Sequence, residues 1–172
     1  MRQYGIVLIL GLILAFIAFQ ARTGIFRRAN PGAPANKYTR EMMEEQRLTE
    51  EDLALIKQRY AEADVTSSGL RYLVRARGRG EPPPYGAEVT LHYEGRLLAN
   101  NQKFDSSSDR GEPFKFRVGT GAVIKGLDEA VATMRSDEKR TLVIPWWLAY
   151  GAEGRGVIPP RATLVFEVER LD

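Results

Sequence analysis

Over residues 67–172, apolar and polar side chains alternate in short runs. Val89, Leu91 and Tyr93 are separated by Thr90 and His92 and bounded by Glu88 and Glu94. Phe114, Phe116 and Val118 interleave with Lys115 and Arg117, and Leu164, Phe166 and Val168 with Val165, Glu167 and Glu169. Successive side chains of an extended chain point to opposite faces, so each run predicts a strand with one buried face. Between them, Leu127, Val131 and Met134 recur at spacings of four and three with Ala130 beside them, which predicts one short amphipathic helix. Strands that are polar on one side and covered by a helix on the other predict an antiparallel α+β domain, entered at Ser67-Ser68-Gly69.

Upstream, the pattern changes character. Tyr4 to Phe19 carries no charge and is flanked by Arg2 and Arg22. As a helix it would be ~24 Å long, against a hydrocarbon core of ~30 Å, the length of a minimal membrane anchor or a signal-peptide core. Phe19, two residues before Ala21, spoils the nearest small-x-small cleavage site, which favours an uncleaved anchor. Arg22, Arg27 and Arg28 after the run favour a cytoplasmic domain under the positive-inside tendency, whereas a secretory reading places it outside. The residues leave the orientation open, and an extracytoplasmic (periplasmic) domain is the working expectation. Ala29 to Lys37 (ANPGAPANK) is a linker by composition. Thr49-Glu50-Glu51-Asp52 then resembles a helix start, with Leu53, Ile56 and Tyr60 on one face and an end near Ala63. That helix serves as a spacer packed on the domain or, less simply, as a dimerisation arm. The expected segments are therefore 1–28, an apolar anchor or signal; 29–66, linker and helix; and 67–172, the main domain.

Composition mostly excludes. A net charge of +3 dispersed along the chain offers no basic stripe for a nucleic acid. The chain has no cysteine, which removes disulfides, thiolate nucleophiles and sulfur-ligated metals, and its single histidine, His92, leaves no histidine cluster. No GxSxG, HExxH or phosphate-cradling loop is present. Gly119-Thr120-Gly121 lacks the Gly-Lys-Ser/Thr ending such a loop needs and reads as a turn. The acid pairs Asp128/Glu129 and Asp137/Glu138 read as solvated surface, because neighbours on a helix point apart. His92, on the polar side of its strand, reads as a surface or network residue. What remains is Tyr93, Phe104, Phe114, Phe116, Val123, Ile124, Tyr150 and Phe166 at strand ends and loops. Periodicity cannot separate a core face from the floor of an apolar pocket.

The order of the motifs adds more. HYEG at His92–Gly95, KFDSS at Lys103–Ser107, PFKF at Pro113–Phe116 and VIKGLDEAV at Val123–Val131 are followed by AYG at Ala149–Gly151 and VIPPRATLVFEVE at Val157–Glu169. Together they closely resemble the FKBP family of peptidyl-prolyl isomerases, over about Ser67 to Asp172. The resemblance implies a strongly twisted antiparallel sheet wrapped around one short helix, with a cleft between them for a substrate proline. It assigns catalytic positions to Tyr93, Asp105, Ile124, Tyr150 and Phe166. Substrate contacts fall to Phe104, Phe114, Val123, Leu127, Val157 and Ile158. Within this set the Ile124 N–H and the Tyr150 hydroxyl would meet the carbonyl of the twisting bond, and Asp105 would orient the tyrosine hydroxyls or cap the Ser106–Ser108 turn.

The implied partners are proline-containing segments of folding proteins, macrocyclic inhibitors, and a membrane through the N-terminal run; no cofactor, metal or nucleic acid is expected. Leu127 stands where most members have the tryptophan of the pocket floor. Arg155 lies in a loop one residue shorter than in the familiar small members, too short for an inserted chaperone domain. Pocket depth and substrate preference are where those departures act. A non-catalytic peptide-binding or chaperone module on the same fold is the rival reading, and a structural membrane protein a third.

Overall fold

The computed structural model describes residues 46–172. Residues Arg47–Asp172 form one compact unit. The apolar run Tyr4–Phe19 and the linker Ala29–Lys37 lie outside the described residues. Among the described residues no helix is long and apolar enough to cross a membrane.

The chain enters through helix α1 (Glu50–Arg59). Thr49 caps it as its sequence suggests: the hydroxyl accepts a hydrogen bond from the Asp52 N–H at 3.0 Å, and three acids occupy the first turn. The helix ends at Arg59, not near Ala63, because Tyr60 leaves helical geometry. Its inward face also departs from expectation. Asp52 and Ile56 are buried, whereas Leu53 is 40% exposed. Asp52 turns inward because its carboxylate accepts a hydrogen bond from the buried Thr163 hydroxyl at 2.6 Å.

Seven strands follow: β1 (Asp64–Val65), β2 (Arg71–Ala76), β3 (Glu88–Leu97), β4 (Lys103–Ser106), β5 (Phe114–Arg117), β6 (Lys139–Ile144) and β7 (Leu164–Arg170). They form one antiparallel sheet in the order β1-β2-β6-β7-β3-β4, with β5 also on β3. β5 pairs with Glu88–Leu91 of β3 and β4 with Glu94–Arg96, so the segment between them leaves the sheet and forms a short 3₁₀ turn at Ser108–Arg110. β3, β5 and β7 are the strands that the alternation predicts.

Helix α2 (Lys125–Val131) packs on one face of the sheet. Its Leu127, Ala130 and Val131, with Met134 just beyond, join Val89, Leu91, Phe116, Leu142, Ile144, Leu164 and Phe166 in the main core. The opposite face is covered by α1: Ile56, Val143, Val165 and Leu98 form a second, smaller core flanked by Leu48, Leu55 and Tyr60. β6 is thus buried on both faces, which is why its sequence shows no alternation.

Two of the expected surface acids are not on the surface. Asp128 is buried on α2, and Glu138 is 5% exposed and paired with Arg140. Each found polar partners inside the fold, as a buried carboxylate must.

Candidate functional site

Where β3, β5 and β7 meet the N-terminal end of α2, they leave a cleft of about 410 Å³ with aromatic and aliphatic walls and a polar rim. Tyr93, Phe114 and Phe166 supply its aromatic walls. Val123 and Ile124 come from the approach to α2, and Tyr150 and Arg155 come from the loop after the 3₁₀ turn Trp146–Leu148. Leu127 lines the cleft from α2 and is itself buried, as expected of a floor. Asp105, Gly121 and Ala122 complete the lining.

Aromatic geometry fixes the walls. The Tyr93 and Phe114 rings meet edge to face, with centroids 5.6 Å apart and planes at 83°. Tyr93 and Phe166 lie 5.8 Å apart at 44°, and Phe114 stacks on Phe116 at 5.8 Å. Such pairs add ~0.5–1.5 kcal/mol beyond the area they bury, and they limit rotation of each ring.

At the rim, three side chains lock together. The Tyr93 hydroxyl donates to Asp105 Oδ2 at 2.5 Å, Arg110 Nη1 donates to Asp105 Oδ1 at 2.5 Å, and Arg110 Nη2 donates to the Tyr93 oxygen at 2.8 Å. The guanidinium also lies 5.4 Å from the centre of the Tyr93 ring. Burial pushes the Tyr93 hydroxyl above the ordinary tyrosine range, the bond to Asp105 adds to this, and Arg110 opposes it. Tyr150 is likewise raised, chiefly by burial, with Arg155 opposing. Both hydroxyls therefore keep their protons at neutral pH.

Asp105 does not cap the neighbouring turn; the Ser106 hydroxyl does, accepting from the Ser108 N–H at 3.2 Å. Two hydrogen-bond donors on residues that line the cleft have no protein acceptor among the described residues: the Ile124 N–H, just before the first turn of α2, and the Tyr150 hydroxyl.

Of the residues named from sequence, Tyr93, Asp105, Phe114, Val123, Ile124, Leu127, Tyr150 and Phe166 come together at this cleft. Three do not line it. Phe104 sits behind the wall, edge-on to Phe166 at 5.6 Å, in space left by Gly95. A Cβ at Gly95 would lie 2.6 Å from the Phe104 ring, so only glycine lets the two strands carry that aromatic pair. Ile158 is 6% exposed and belongs to the main core, whereas Val157 is 68% exposed at the loop tip. Adjacent residues of a tight hairpin point opposite ways, so the motif could not bring both to the cleft.

Asp128 is the contributor that sequence reasoning missed. Its Oδ1 accepts from the Gly119 N–H at 2.6 Å and its Oδ2 from the Gly121 N–H at 2.9 Å. One buried carboxylate thereby fixes the Gly-Thr-Gly turn that leads into the Gly121–Ile124 wall. The available signal was a turn with two unpaired N–H groups, followed at short range by an acid on the inner face of a helix. His92 lies outside the cleft, with its Nδ1 3.0 Å from the Ser107 hydroxyl. No group of three or more His, Cys, Asp or Glu is placed to hold a metal among the described residues.

An antiparallel sheet clasping one short helix, with an aromatic-walled cleft at that helix's start, is the architecture that the family resemblance of the motifs implies. The chain belongs to the FKBP-type peptidyl-prolyl cis-trans isomerase family, whose model matches residues 80–171. It is 51% identical over 104 residues to FK506-binding protein 1 of Dictyostelium discoideum, a match covering 60% of this chain and 96% of that protein. Identity to the FK506-binding protein of Neisseria meningitidis serogroup B is 52% over 95 residues, covering 55% of this chain and 86% of that one. Among solved structures, the N-terminal domain of FKBP42 from Arabidopsis thaliana matches with a TM-score of 0.60 at 29% identity, over 63% of this chain and 89% of that one. The protein is accordingly an enzyme, a peptidyl-prolyl cis–trans isomerase.

Proposed function

We propose that the cleft seats the ring of a substrate proline and that the named residues accelerate rotation about the bond before it, assisting protein folding. The observation that carries this is one aromatic-walled cavity whose lining residues include two uncommitted donors, the Ile124 N–H and the Tyr150 hydroxyl. Rotation breaks no covalent bond: the barrier of ~18–20 kcal/mol is amide resonance, lost as the carbonyl leaves the plane. A twisted amide is less dipolar than a planar one, so an apolar site held by Tyr93, Phe114, Leu127 and Phe166 favours it over the ground state. Donors placed at the carbonyl's rotated position act only in the transition state. Each ~1.4 kcal/mol gained in this way is worth about tenfold in rate.

The test is the isomerisation of a short proline peptide by the full-length chain from pH ~6 to ~8. A rate enhancement that is nearly flat over that range is expected, because burial keeps Tyr93 and Tyr150 protonated throughout. A bell-shaped profile overturns the desolvation mechanism, and no acceleration at all returns the protein to a binding module.

Two finer readings accompany this one. The cleft takes macrocycles of the kind for which the relatives are named, with weakened affinity because Leu127 offers no flat floor. The Tyr4–Phe19 run anchors the chain in a membrane with this domain on the extracytoplasmic side; its support is a charge-free apolar sequence. Protease accessibility in intact cells tests the second.

A further inference from the structure

Four ionisable side chains line the cleft: Tyr93, Tyr150, Asp105 and Arg155. The two tyrosines are neutral. Asp105 is already neutralised, since Arg110 pairs with it at 2.5 Å and shares its bond to Tyr93. Arg155 is different. It forms no ion pair and its side chain makes no hydrogen bond among the described residues, although Glu153 stands two positions away in the same loop. The electrostatic balance at the mouth is therefore one uncompensated positive charge.

That charge is held in place by construction. The Arg155 N–H donates to the Ile158 carbonyl and the Ile158 N–H donates back to the Arg155 carbonyl, both at 2.9 Å, closing a tight hairpin over Gly156 and Val157. Ile158 is sunk in the core and anchors the base of the hairpin. Gly154, with φ at +71°, sits so close to the Ile158 carbonyl that any side chain there would collide with it. Loop geometry thus presents Arg155 at the cleft with little freedom of its backbone, leaving only its side chain to reach a ligand. A guanidinium in that position suits a carboxylate, which it can bind through two parallel hydrogen bonds.

We infer that Arg155 is a specificity-determining residue, selecting proline peptides that carry a carboxylate beside the proline over those that carry an ammonium group. This rests on the cleft being the proline site. Opposition by Arg155 to the upward shift of the Tyr150 hydroxyl agrees with its charge reaching into the cavity.

The experiment uses the full-length chain and short peptides identical except for Glu, Gln or Lys at the position before the proline, with a second set varied after it. Turnover is read as kcat/KM and binding as Kd. In one set or both, the Glu peptide should exceed the Lys peptide by about threefold to tenfold at low ionic strength, with the Gln peptide between. The ratio should approach one in ~1 M salt, where the screening length is ~3 Å. Arg155→Gln should remove the preference, Arg155→Lys should keep it, and Arg155→Glu should reverse it. A preference absent from both sets, or one that survives Arg155→Gln, overturns the inference. If no peptide is turned over, the isomerase reading fails separately, and the Kd ratios still decide the role of Arg155.

Discussion

Two carboxylate–arginine groups of the same chemistry sit at opposite ends of α2 and do opposite work. At the cleft, Asp105 and Arg110 pair at 2.5 Å with each side chain 42% exposed. Beyond the helix's other end, Glu138 and Arg140 pair at the same distance, 6% and 8% exposed. The buried group is saturated with partners. Glu138 Oε2 accepts from the Arg135 N–H, and Arg140 donates to the Thr133 hydroxyl and carbonyl. Arg170 donates to the Met134 carbonyl. These cations tie down the carbonyls that a helix leaves unsatisfied where it stops. The buried group thereby holds α2 on the sheet, while the exposed one only aims the Tyr93 hydroxyl. Burial, not pairing distance, separates an ion pair that holds the fold from one that positions a side chain at the cleft.

Breaking the buried group should have the largest effect. Glu138→Ala leaves the Arg140 guanidinium inside without a counter-charge, a loss of about 3–5 kcal/mol. Urea unfolding should show the midpoint fall accordingly, and a change below about 1 kcal/mol would mean that water reaches Arg140.

Asp128 ranks next, as a buried carboxylate that serves the cleft directly. Asp128→Ala strands the Gly119 and Gly121 N–H groups, for an expected loss of about 2 kcal/mol. Isomerisation should fall further than in Glu138→Ala once both are compared under folded conditions, because the wall leading to Ile124 loses its anchor. Asp128→Asn, which keeps one acceptor oxygen, should recover part of both losses.

These acids also mark where the sequence was legible and where it was not. The cleft between sheet and helix was implied only by the family resemblance of the motifs, whereas alternation in β3, β5 and β7 and the spacing of Leu127, Val131 and Met134 sufficed for those strands and the helix that packs on them. So did Thr49 as a cap, because its partner is three residues away. Asp52 was read correctly as an acid of the first turn, but its burial was not legible, because its partner, Thr163, is 111 residues distant and no local pattern carries such a contact. Glu138 was misread for a different reason: its partners, the Arg135 N–H and Arg140, are only three and two residues away, but no local pattern shows that the fold buries Glu138 and Arg140 together. β6 escaped because a strand covered on both faces has no polar rhythm. Phe104 and Ile158 were apolar residues in the right motif, but Gly95 and the hairpin geometry put each one layer behind the cleft.

A milder effect is expected at the exposed pair. Asp105→Asn should cost under about 1 kcal/mol of stability, the usual worth of a solvent-accessible ion pair. Activity is the more sensitive readout, since the single amide oxygen cannot accept from both the Tyr93 hydroxyl and Arg110, and Arg110 loses its counter-charge: a fall of about twofold to tenfold in kcat/KM is expected. The freed Arg110 also adds a second positive charge at the mouth, so the Glu-over-Lys preference should widen in this variant. If stability and activity instead fell together by the amounts seen for Glu138→Ala, the contrast between the two groups would be broken.

Glu167 offers the finest test, because it lies between the two cases. Its Oε2 accepts from the Thr141 hydroxyl at 2.9 Å, and that hydroxyl accepts in turn from Arg75 Nε at 2.7 Å, on the α1 side of the sheet. Partial burial lifts its carboxyl above the usual glutamate range, while the Thr141 bond and Arg75 pull it back. A raised carboxyl binds its proton more tightly in the folded state than in the unfolded chain. Between the ordinary value and the raised one, the folded protein therefore holds more protons, and stability falls as pH rises through that window. Above it the carboxylate carries a standing cost, which solvent reaching its exposed side keeps small. Glu167→Gln keeps an acceptor for Thr141 and removes the charge. Thermal unfolding at pH ~7 should show the variant more stable by about one or two degrees, and the gap should close near pH ~4, where both side chains are neutral. A variant less stable than the parent at pH ~7 would show that Glu167 belongs with Glu138, held by its partners and not merely tolerated among them.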